Sequence, residues 1–490
     1  MFNKFSWDNY LKAGGEKVVE TFEKNLLNEY TTEYADFVAD LHREYCLSEN
    51  IVSGTREQLI ELHPTIMEES VFDPEGEYTI LSALEYVYDS INENNGGSLS
   101  QAQVFDIFTS KMEFFTTFFA SEFPEVFVPY YFFGNFNIVK KIAEEFEIDL
   151  PPIPAKKNYK ERMMYYGEIC AALYEFRTEH DLTPYELCAF LYDFAPKYIG
   201  GKDSYIIKDL PAPSSAYFIG GSKDDFFVSD DVDTVALWQC SPETKAGDMI
   251  VMYLRTPISA IDSVWRSVSI GFNDPFFYYY RCTYIGQPKP IKRISQKQLK
   301  ADKILGELPI VKKNMQGING VELRPSAYHR ILDIAESDVL RLEFDEISDD
   351  SDFKIEKDVE NKLIKPLIAK LGYGEGEWES QLHLEVGNHN FKLIPDFVLM
   401  PNRTKGHQTA FAIIEAKLTI ENNAILDEVK IQARSYACQL RSKYAVIAAK
   451  EKVWVISDKD DYTNVIFSAT WAQLNDPDVF TELRRIIGKK

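Results

Sequence analysis

Residues 391–419 read FKLIPDFVLMPNRTKGHQTAFAIIEAKLT and contain two apolar runs separated by a polar loop. The runs are short and rich in Ile, Leu, Val and Phe, so they predict neighbouring β-strands over 391–400 and 409–419. Asp396 interrupts the first strand, and Glu415 and Lys417 interrupt the second. Charged groups are costly to bury without partners, so their place in apolar strands indicates a chemical role.

Asp396 and Glu415 are expected to converge on one divalent cation, because they lie near the ends of adjacent strands. Mg²⁺ prefers carboxylate oxygens together with waters and phosphate oxygens. Side chains alternate along a strand, so Lys417 is expected on the same face as Glu415, where it can orient a water molecule or offset charge on a phosphate. The expected reaction is metal-assisted phosphodiester hydrolysis. The alternative is that these residues are solvated strand-end charges paired with Lys417.

The flanking segments predict an α/β domain around these strands. An amphipathic helix is expected over 355–371, ending at Gly372, because Leu363, Ile364, Leu367 and Leu371 share one face. A helix over 424–442 and strands over 444–449 and 452–457 are expected after the charged strands.

This order of elements resembles the PD-(D/E)XK nuclease superfamily, with Pro395-Asp396 and Glu415-Ala416-Lys417 as its motif. It is most similar to the nuclease domain of type I restriction R subunits and to RecB-like nucleases, in which a glutamate-bearing helix precedes the motif. Glu356 and Glu360 both precede the phrase KPLIAKLGY at 365–373, and both are retained, with Glu356 favoured by its alignment to that phrase.

The resemblance covers about residues 354–457 and implies a set of site residues. The related families carry a Gln and a Tyr on the helix after the motif, matched here by Gln432 and Tyr436. A bound Mg²⁺, or Mn²⁺ in its place, is expected on Asp396, Glu415 and the Ala416 carbonyl. The implied catalytic residues are Asp396, Glu415, Lys417, Glu356, Glu360 and Gln432.

Short alternating runs between Gly, Pro and Asp predict a β-rich domain over about residues 214–334. Within it, TKAGDMIVMY at 244–253 and LKADKILGELPIV at 299–311 resemble the EVE domain, a PUA-superfamily β-barrel. This resemblance implies a concave aromatic pocket that holds a flipped or single-stranded modified base. The candidate pocket residues are Trp238, Phe276, Phe277 and, with less support, Trp265; for each of them, packing in the barrel core is the alternative.

The chain has 490 residues, of which 45% are hydrophobic and 27% charged, a globular composition of about three domains. The formal charge of −24 comes mainly from residues 1–200, which carry 15 Lys and Arg against 35 Asp and Glu. This acidic segment has helical periodicity and repels DNA, so it is expected to serve regulation or self-association into a homo-oligomer.

The predicted architecture is multidomain α+β. It comprises an acidic, mainly helical domain at 1–205, an EVE-like β-barrel at 210–336, an acidic linker at 337–353, a restriction-endonuclease-like α/β domain at 354–475 and a C-terminal helix or tail at 476–490. No apolar run has membrane-spanning length and no export signal is visible, so we expect a cytoplasmic protein without a membrane partner. The sequence Gly200-Gly201-Lys202 lacks the rest of a P-loop, so no ATP site is expected.

Together these features predict a magnesium-dependent endonuclease that reads modified bases in phage DNA, by analogy with type IV restriction enzymes. Three alternatives stay open. In the first, the reader domain binds RNA or unmodified DNA. In the second, the nuclease-like domain binds nucleic acid without cutting it. In the third, the helical domain recruits a partner protein.

Overall fold

The computed structural model describes residues 2–27, 80–132, 134–200, 206–222, 234–343, 347, 353–385, 392–402, 404 and 408–489. It is a mixed helix and sheet protein with a curled half-barrel sheet and a second sheet. The chain divides into two compact units. The first unit comprises Met1–Leu323 and Leu332–Leu340, and the second comprises Arg324–Ile331 and Arg341–Lys490.

The N-terminal part of the first unit is helical, as its sequence pattern predicts. Ser100 and Thr183 each begin a helix with a capping box. The cap side chain accepts from the backbone N–H three residues later, and the side chain of that residue accepts from the backbone N–H of the cap. The α-helices described here are Lys4–Tyr10, Glu16–Leu27, Ile80–Asn94, Gln101–Ser110, Met112–Glu122, Phe136–Phe146, Tyr159–Glu179, Pro184–Ala189 and Ala195–Tyr198, and π-helical turns occur at Leu11–Gly15 and Phe190–Phe194.

The curled sheet of the first unit is built mainly from antiparallel neighbours. Its strands are β1 (Ala216–Gly221), β2 (Val235–Gln239), β3 (Met249–Leu254), β4 (Ala260–Ser267), β5 (Phe272–Asn273), β6 (Arg281–Ser295) and β7 (Val321–Leu323). They are ordered β2-β6-β4-β3-β1-β7, with β5 paired to β6 and with β1 and β3 parallel. Short helices Gln296–Ala301 and Pro309–Lys312 and a 3₁₀ turn Leu305–Glu307 follow β6.

The TKAGD phrase at 244–248 forms a loop that fixes the start of β3 beside the start of β1. The buried Asp248 carboxylate accepts hydrogen bonds from the backbone N–H groups of Ser215 at 2.9 Å and Lys245 at 2.8 Å. Gly247 has φ +89°, and a Cβ at this position would lie 2.4 Å from the Pro211 carbonyl oxygen. The phrase therefore has a structural explanation, because only glycine fits this close approach.

The helices and one part of the curled sheet share a hydrophobic core, and the sheet has a second cluster of its own. Val268, Phe272, Phe276, Cys282 and Tyr284 from the sheet region belong to the same buried cluster as the aromatic residues of the helices. The predicted boundary between residues 205 and 210 therefore falls inside a single packed unit.

The second unit contains a six-stranded sheet and a separate two-stranded pair. Its strands are β8 (Trp378–Ser380), β9 (Leu384–Glu385), β10 (Lys392–Leu393), β11 (Phe397–Leu399), β12 (Ala412–Lys417), β13 (Tyr444–Ala449), β14 (Lys452–Ser457) and β15 (Val465–Thr470). The six-stranded sheet is ordered β15-β14-β13-β12-β11-β8, and β9 pairs with β10. The strands expected over 444–449 and 452–457 have these bounds in the structure.

Helices cover both faces of the larger sheet, since two separate buried clusters include residues of its central strands. The C-terminal helix Pro477–Ile487 buries Phe480, Leu483 and Ile487 in one of them, so it is part of the folded unit. The expected linker overlaps residues 344–346 and 348–352, which lie outside the described residues. The helices are Glu356–Val359, Lys365–Lys370, Asn423–Gln439, Trp471–Leu474 and Pro477–Ile487, with a π-helical turn at Glu360–Ile364; helix Pro325–Ala335 spans the change between units.

Among the residues described, no helix combines the length and the apolar character that a membrane span requires.

The close approach at Gly247 can be separated from the cost of its positive φ by a matched pair of variants. Gly317 also has positive φ, at +75°, but nothing lies within 4 Å of a Cβ placed there. We expect Gly317→Ala to lower the free energy of unfolding by about 1 kcal/mol and Gly247→Ala to lower it by about 3 kcal/mol or more. Chemical denaturation followed by tryptophan fluorescence measures both, and equal losses would contradict the close contact with Pro211.

Candidate active site

Pairing between β11 and β12 brings the two predicted carboxylates together. Phe397 lies opposite Ile414 in this antiparallel pair, and continuing the register by one residue sets Asp396 opposite Glu415. The backbone N–H of Ala416 donates to Asp396 Oδ2 at 2.7 Å, which ties the Asp396 side chain to β12. The spacing predicted from the sequence therefore corresponds to a direct juxtaposition across two central strands.

Glu415 is the more deeply buried of the two carboxylates, with 2% of its surface exposed. Its Oε1 accepts a hydrogen bond from Lys417 Nζ at 2.5 Å. Its Oε2 is buried and has no hydrogen-bond partner among the described residues. An unpaired buried carboxylate oxygen is energetically costly, so Oε2 is a position where a cation or a hydrogen-bond donor would be stabilising.

Lys417 lies between two of the three predicted metal ligands. Its Nζ donates to Glu415 Oε1 and also to the Ala416 carbonyl oxygen at 2.9 Å. A positive charge is therefore already held between these two oxygens. Two carboxylates and a carbonyl form a hard oxygen donor set, which fits Mg²⁺ or Mn²⁺.

Glu356 and Glu360, the two candidates for the upstream glutamate, both lie near the carboxylates. The helix that begins at Glu356 packs against β12. Glu356 interacts electrostatically with Lys417 and Asp396, and Glu360 interacts with Asp396. Glu360 is buried and forms an ion pair with Lys357, whereas Glu356 is half-buried. Glu356 is therefore the glutamate whose charge acts on the Lys417 ammonium.

Burial sets the ionisation of this cluster. It raises the pKa of Glu415 to about 7, with the Asp396 charge adding to the effect and the hydrogen bond from Lys417 opposing it. Burial also raises the pKa of Asp396 and of Glu356. Burial lowers the pKa of Lys417, but its hydrogen bond to Glu415 and the surrounding carboxylates outweigh this effect, so the pKa is raised overall. Burial therefore favours the protonated form of these carboxyl groups, and the Lys417 ammonium opposes that effect.

Gln432 lies on the helix Asn423–Gln439, which packs against β12 and β13. Its Nε2 donates to Tyr436 Oη at 3.1 Å, so the two residues matched to the family form a pair with each other. Within the described part of the chain, no hydrogen bond joins Gln432 to Asp396 or Glu415.

Lys357 was not among the residues predicted from the sequence, although its ammonium opposes the rise in the pKa of Asp396 and pairs with Glu360. The available signal was its spacing of three residues from Glu360 on a helix, which places the two side chains on neighbouring positions. Among the described residues, no group of three or more His, Cys, Asp and Glu side chains is arranged to hold a metal. The predicted ligand set contains two such side chains and a backbone carbonyl.

The candidate base-binding residues separate into buried and accessible ones. Trp265 and Phe276 are fully buried. The Trp265 indole donates to Ser263 Oγ at 2.9 Å, and the Phe276 ring packs edge-on against Tyr130 at 4.9 Å between centroids. For these two residues the structure favours the core alternative, because helices of the first unit cover Phe276 and the sheet covers Trp265.

Trp238 and Phe277 are only partly buried. Trp238 lies on β2, at one edge of the curled sheet, and its indole N–H donates to the Gly220 carbonyl of β1 at 3.3 Å. The Phe277 carbonyl accepts a hydrogen bond from Arg162 at 2.7 Å. Both rings therefore retain some accessible surface.

The raised pKa of Glu415 predicts a stability effect that depends on pH. The folded protein keeps this proton up to about pH 7, whereas the unfolded chain releases it near pH 4.5. Its contribution to stability is thus fully present below pH 4.5 and is lost as the pH rises through 7. We expect Glu415→Gln to raise the free energy of unfolding by up to about 3 kcal/mol at alkaline pH.

This gain should shrink as the pH falls toward the ordinary glutamate pKa. Thermal unfolding in EDTA, at an alkaline pH and at a pH near 4.5, measures this gain. The exposed Glu482→Gln is the matched control. A Glu415→Gln effect that is the same at both pH values would contradict the raised pKa.

Comparisons with known proteins add no family assignment. No protein-family model matches the chain, and no curated protein matches it. Among solved structures, the chain is similar to the NMR structure of Rpa0253 from Rhodopseudomonas palustris at 12% identity and a TM-score of 0.22, over 25% of this chain and 93% of that one.

Proposed function

We propose that the protein is a metal-dependent endonuclease that hydrolyses phosphodiester bonds in DNA, with a site of the PD-(D/E)XK type in its second unit. The observation that carries this proposal is the position of Asp396 opposite Glu415, with Lys417 beside them and a buried Glu415 oxygen that lacks a hydrogen-bond donor among the described residues. Such a cluster is expensive to maintain for folding alone, because several buried carboxylates repel one another.

Asp396, Glu415 and the Ala416 carbonyl would hold the metal. Mg²⁺ in this position would act as a Lewis acid and offset negative charge on the phosphate. Lys417 would then leave Glu415 and Ala416, since two cations repel each other, and its ammonium would donate to the attacking water or to a phosphate oxygen. Glu356 would keep Lys417 positively charged and close to the reacting groups, because its carboxylate interacts with that ammonium.

The finer domain assignments belong to the same proposal. The second unit is a restriction-endonuclease-like domain, and the curled sheet of the first unit is an EVE-like, PUA-related domain that reads a modified base in DNA. The accessible part of Trp238 supports a base contact at the edge of that sheet. With these parts the protein acts as a modification-dependent restriction enzyme against phage DNA, and its acidic helices serve regulation or self-association.

Removal of the Lys417 ammonium tests the catalytic part of the proposal. We expect Lys417→Ala to reduce Mg²⁺-dependent cleavage of phage DNA that contains modified bases by at least about 100-fold, because a charge that stabilises the transition state is lost. Gel assays with the purified proteins, with and without EDTA, measure the rate.

The matched control is Lys459→Ala, which removes an exposed lysine from a 3₁₀ turn of the same unit. This variant should cut at the wild-type rate. Cleavage that survives in Lys417→Ala, or that is absent from the wild type with Mg²⁺ and with Mn²⁺, would contradict the proposal. In the latter case binding of DNA without cleavage would favour the non-catalytic alternative.

The reader assignment has its own test in Trp238. Trp238→Ala should abolish the preference for modified over unmodified DNA and leave the cleavage of unmodified DNA unchanged, because loss of the ring removes stacking on the modified base. Competition between matched modified and unmodified DNA measures the preference. The exposed Tyr198→Ala, in the helical part of the unit, is the control. An unchanged preference in Trp238→Ala would refute the role of this residue.

A further inference from the structure

Two adjacent tyrosines, Tyr278 and Tyr279, are exposed on the loop that precedes β6. They are 38% and 45% exposed, and their rings lie 5.3 Å apart between centroids, nearly perpendicular to each other. In the described part of the chain, no other two sequence neighbours are both exposed aromatic residues. Two neighbouring exposed rings offer flat faces on which another planar group can stack.

Buried polar groups form hydrogen bonds with the backbone of the loop that carries these tyrosines. The fully buried Arg162 donates to the carbonyl oxygens of Pro275 at 2.8 Å and Phe277 at 2.7 Å. The buried Asp274 carboxylate accepts hydrogen bonds from the N–H groups of Phe276 at 2.8 Å and Phe277 at 3.1 Å. The folded unit thus fixes the backbone on the N-terminal side of the two tyrosines, which limits the entropy lost when a ligand binds them.

A third ring extends the aromatic surface onto the helical part of the unit. Tyr159, half-buried at the start of its helix, lies 6.3 Å from Tyr278 between ring centroids, with 30° between the ring planes. The Arg162 guanidinium lies 5.4 Å from the Tyr159 ring and 5.1 Å from the Tyr280 ring. The Tyr159 ring therefore extends the exposed aromatic pair onto the helical part of the unit, and the buried Arg162 supports it from beneath.

Positive charge accompanies these rings, although the N-terminal segment is strongly acidic. Lys156 lies close enough to Arg281 and Arg162 that their charges, after burial, lower its pKa. Lys157 and Arg281 are exposed. Within the described residues, no salt bridge pairs Lys156, Lys157 or Arg281 with a carboxylate, whereas the nearby Lys160 pairs with Glu85. Positive charge that is not neutralised within the fold favours an anionic ligand.

We propose that Tyr278 and Tyr279, together with Lys156, Lys157 and Arg281, bind an unpaired stretch of a nucleic-acid strand. Bases stack on the exposed tyrosine rings, and the phosphates contact the three cations, which is the combination that single-strand binding requires. This surface, which we term the tyrosine surface, includes none of the carboxylates of the candidate active site, nor Trp238. The proposal goes beyond the proposed function and does not require that the protein cleaves DNA.

Binding without cleavage tests the tyrosine surface directly. The intact protein is titrated in EDTA into fluorescein-labelled oligothymidine, and fluorescence anisotropy reports the affinity. We expect the double variant Tyr278→Ala with Tyr279→Ala to bind at least about tenfold more weakly, because stacking is lost. The double Tyr→Phe variant keeps both rings and should retain most of the affinity. Arg281→Glu should weaken binding and reduce its dependence on salt concentration.

Two controls separate a specific surface from general effects. Tyr198→Ala removes an exposed ring that packs on Phe146 and Phe194, and Lys17→Glu reverses an exposed charge on the helix Glu16–Leu27. Both variants should bind as the wild type does. A labelled oligouridine strand is titrated in parallel as an RNA probe.

The proposal is overturned if the wild type binds neither strand, if the double alanine variant binds like the wild type, or if the double phenylalanine variant loses affinity as the alanine variant does. Failure of the proposed nuclease would appear separately. In that case the protein would bind the strand through the tyrosines but would not cut DNA with Mg²⁺.

Discussion

The hydrogen bond from the Ala416 N–H to Asp396 Oδ2, with the β11–β12 register that accompanies it, is the constraint on which the candidate site depends. It holds one carboxylate against the strand that carries the other. Because β12 lies inside the sheet and its side chains are largely buried, Glu415 cannot turn to solvent, and Lys417 is the cation placed beside it. The raised pKa values of Asp396, Glu415 and Glu356 follow mainly from burial, and the neighbouring carboxylates add to the effect.

The first unit depends on a different constraint, the buried Arg162. A guanidinium without partners would be very costly in this core, and its cost is offset by three backbone carbonyls and by the Phe105 ring at 4.2 Å. Two of those carbonyls belong to the loop before β6. The aromatic loop, the sheet edge that follows it and the helix Tyr159–Glu179 are therefore one structural element, and a reader domain cut from the helices would lose part of its core.

The sequence predicts the second unit in part, where its strands are short apolar runs bounded by clear breaks. The single strand expected over 391–400 is wrong, because the structure has two short strands there, β10 and β11, in different sheets. Pro395 lies between them and has no backbone N–H to donate to a sheet. The strands 444–449 and 452–457 and the position of the helix Asn423–Gln439 follow directly from periodicity. The candidate site is predictable as a set of residues, since charges in apolar strands stand out. The register that sets Asp396 opposite Glu415 is not predictable, because the polar loop between the strands does not determine it. The contact between Lys357 and Glu360 is predictable from their spacing of three residues on a helix.

In the first unit, local sequence patterns do not predict which aromatic residues are buried. Phe276 is the type of residue that lines base-binding pockets. It is buried, however, by residues far away in sequence, such as Tyr130, and no local pattern predicts that contact. The TKAGD phrase correctly predicts the start of a strand, and Asp248 and Gly247 explain its residue types through loop closure. Long-range packing therefore decides which aromatic residues remain accessible, as Tyr278 and Tyr279 do.

The claim that Asp396 and Glu415 form a divalent-cation site is tested most directly by Mn²⁺ binding to the intact protein, measured by electron paramagnetic resonance of the free ion. We predict that the wild type binds Mn²⁺ and that Asp396→Asn, which keeps the shape of the side chain and removes its charge, weakens this binding at least about tenfold. A wild type that binds no Mn²⁺, or an Asp396→Asn variant with unchanged affinity, would contradict it.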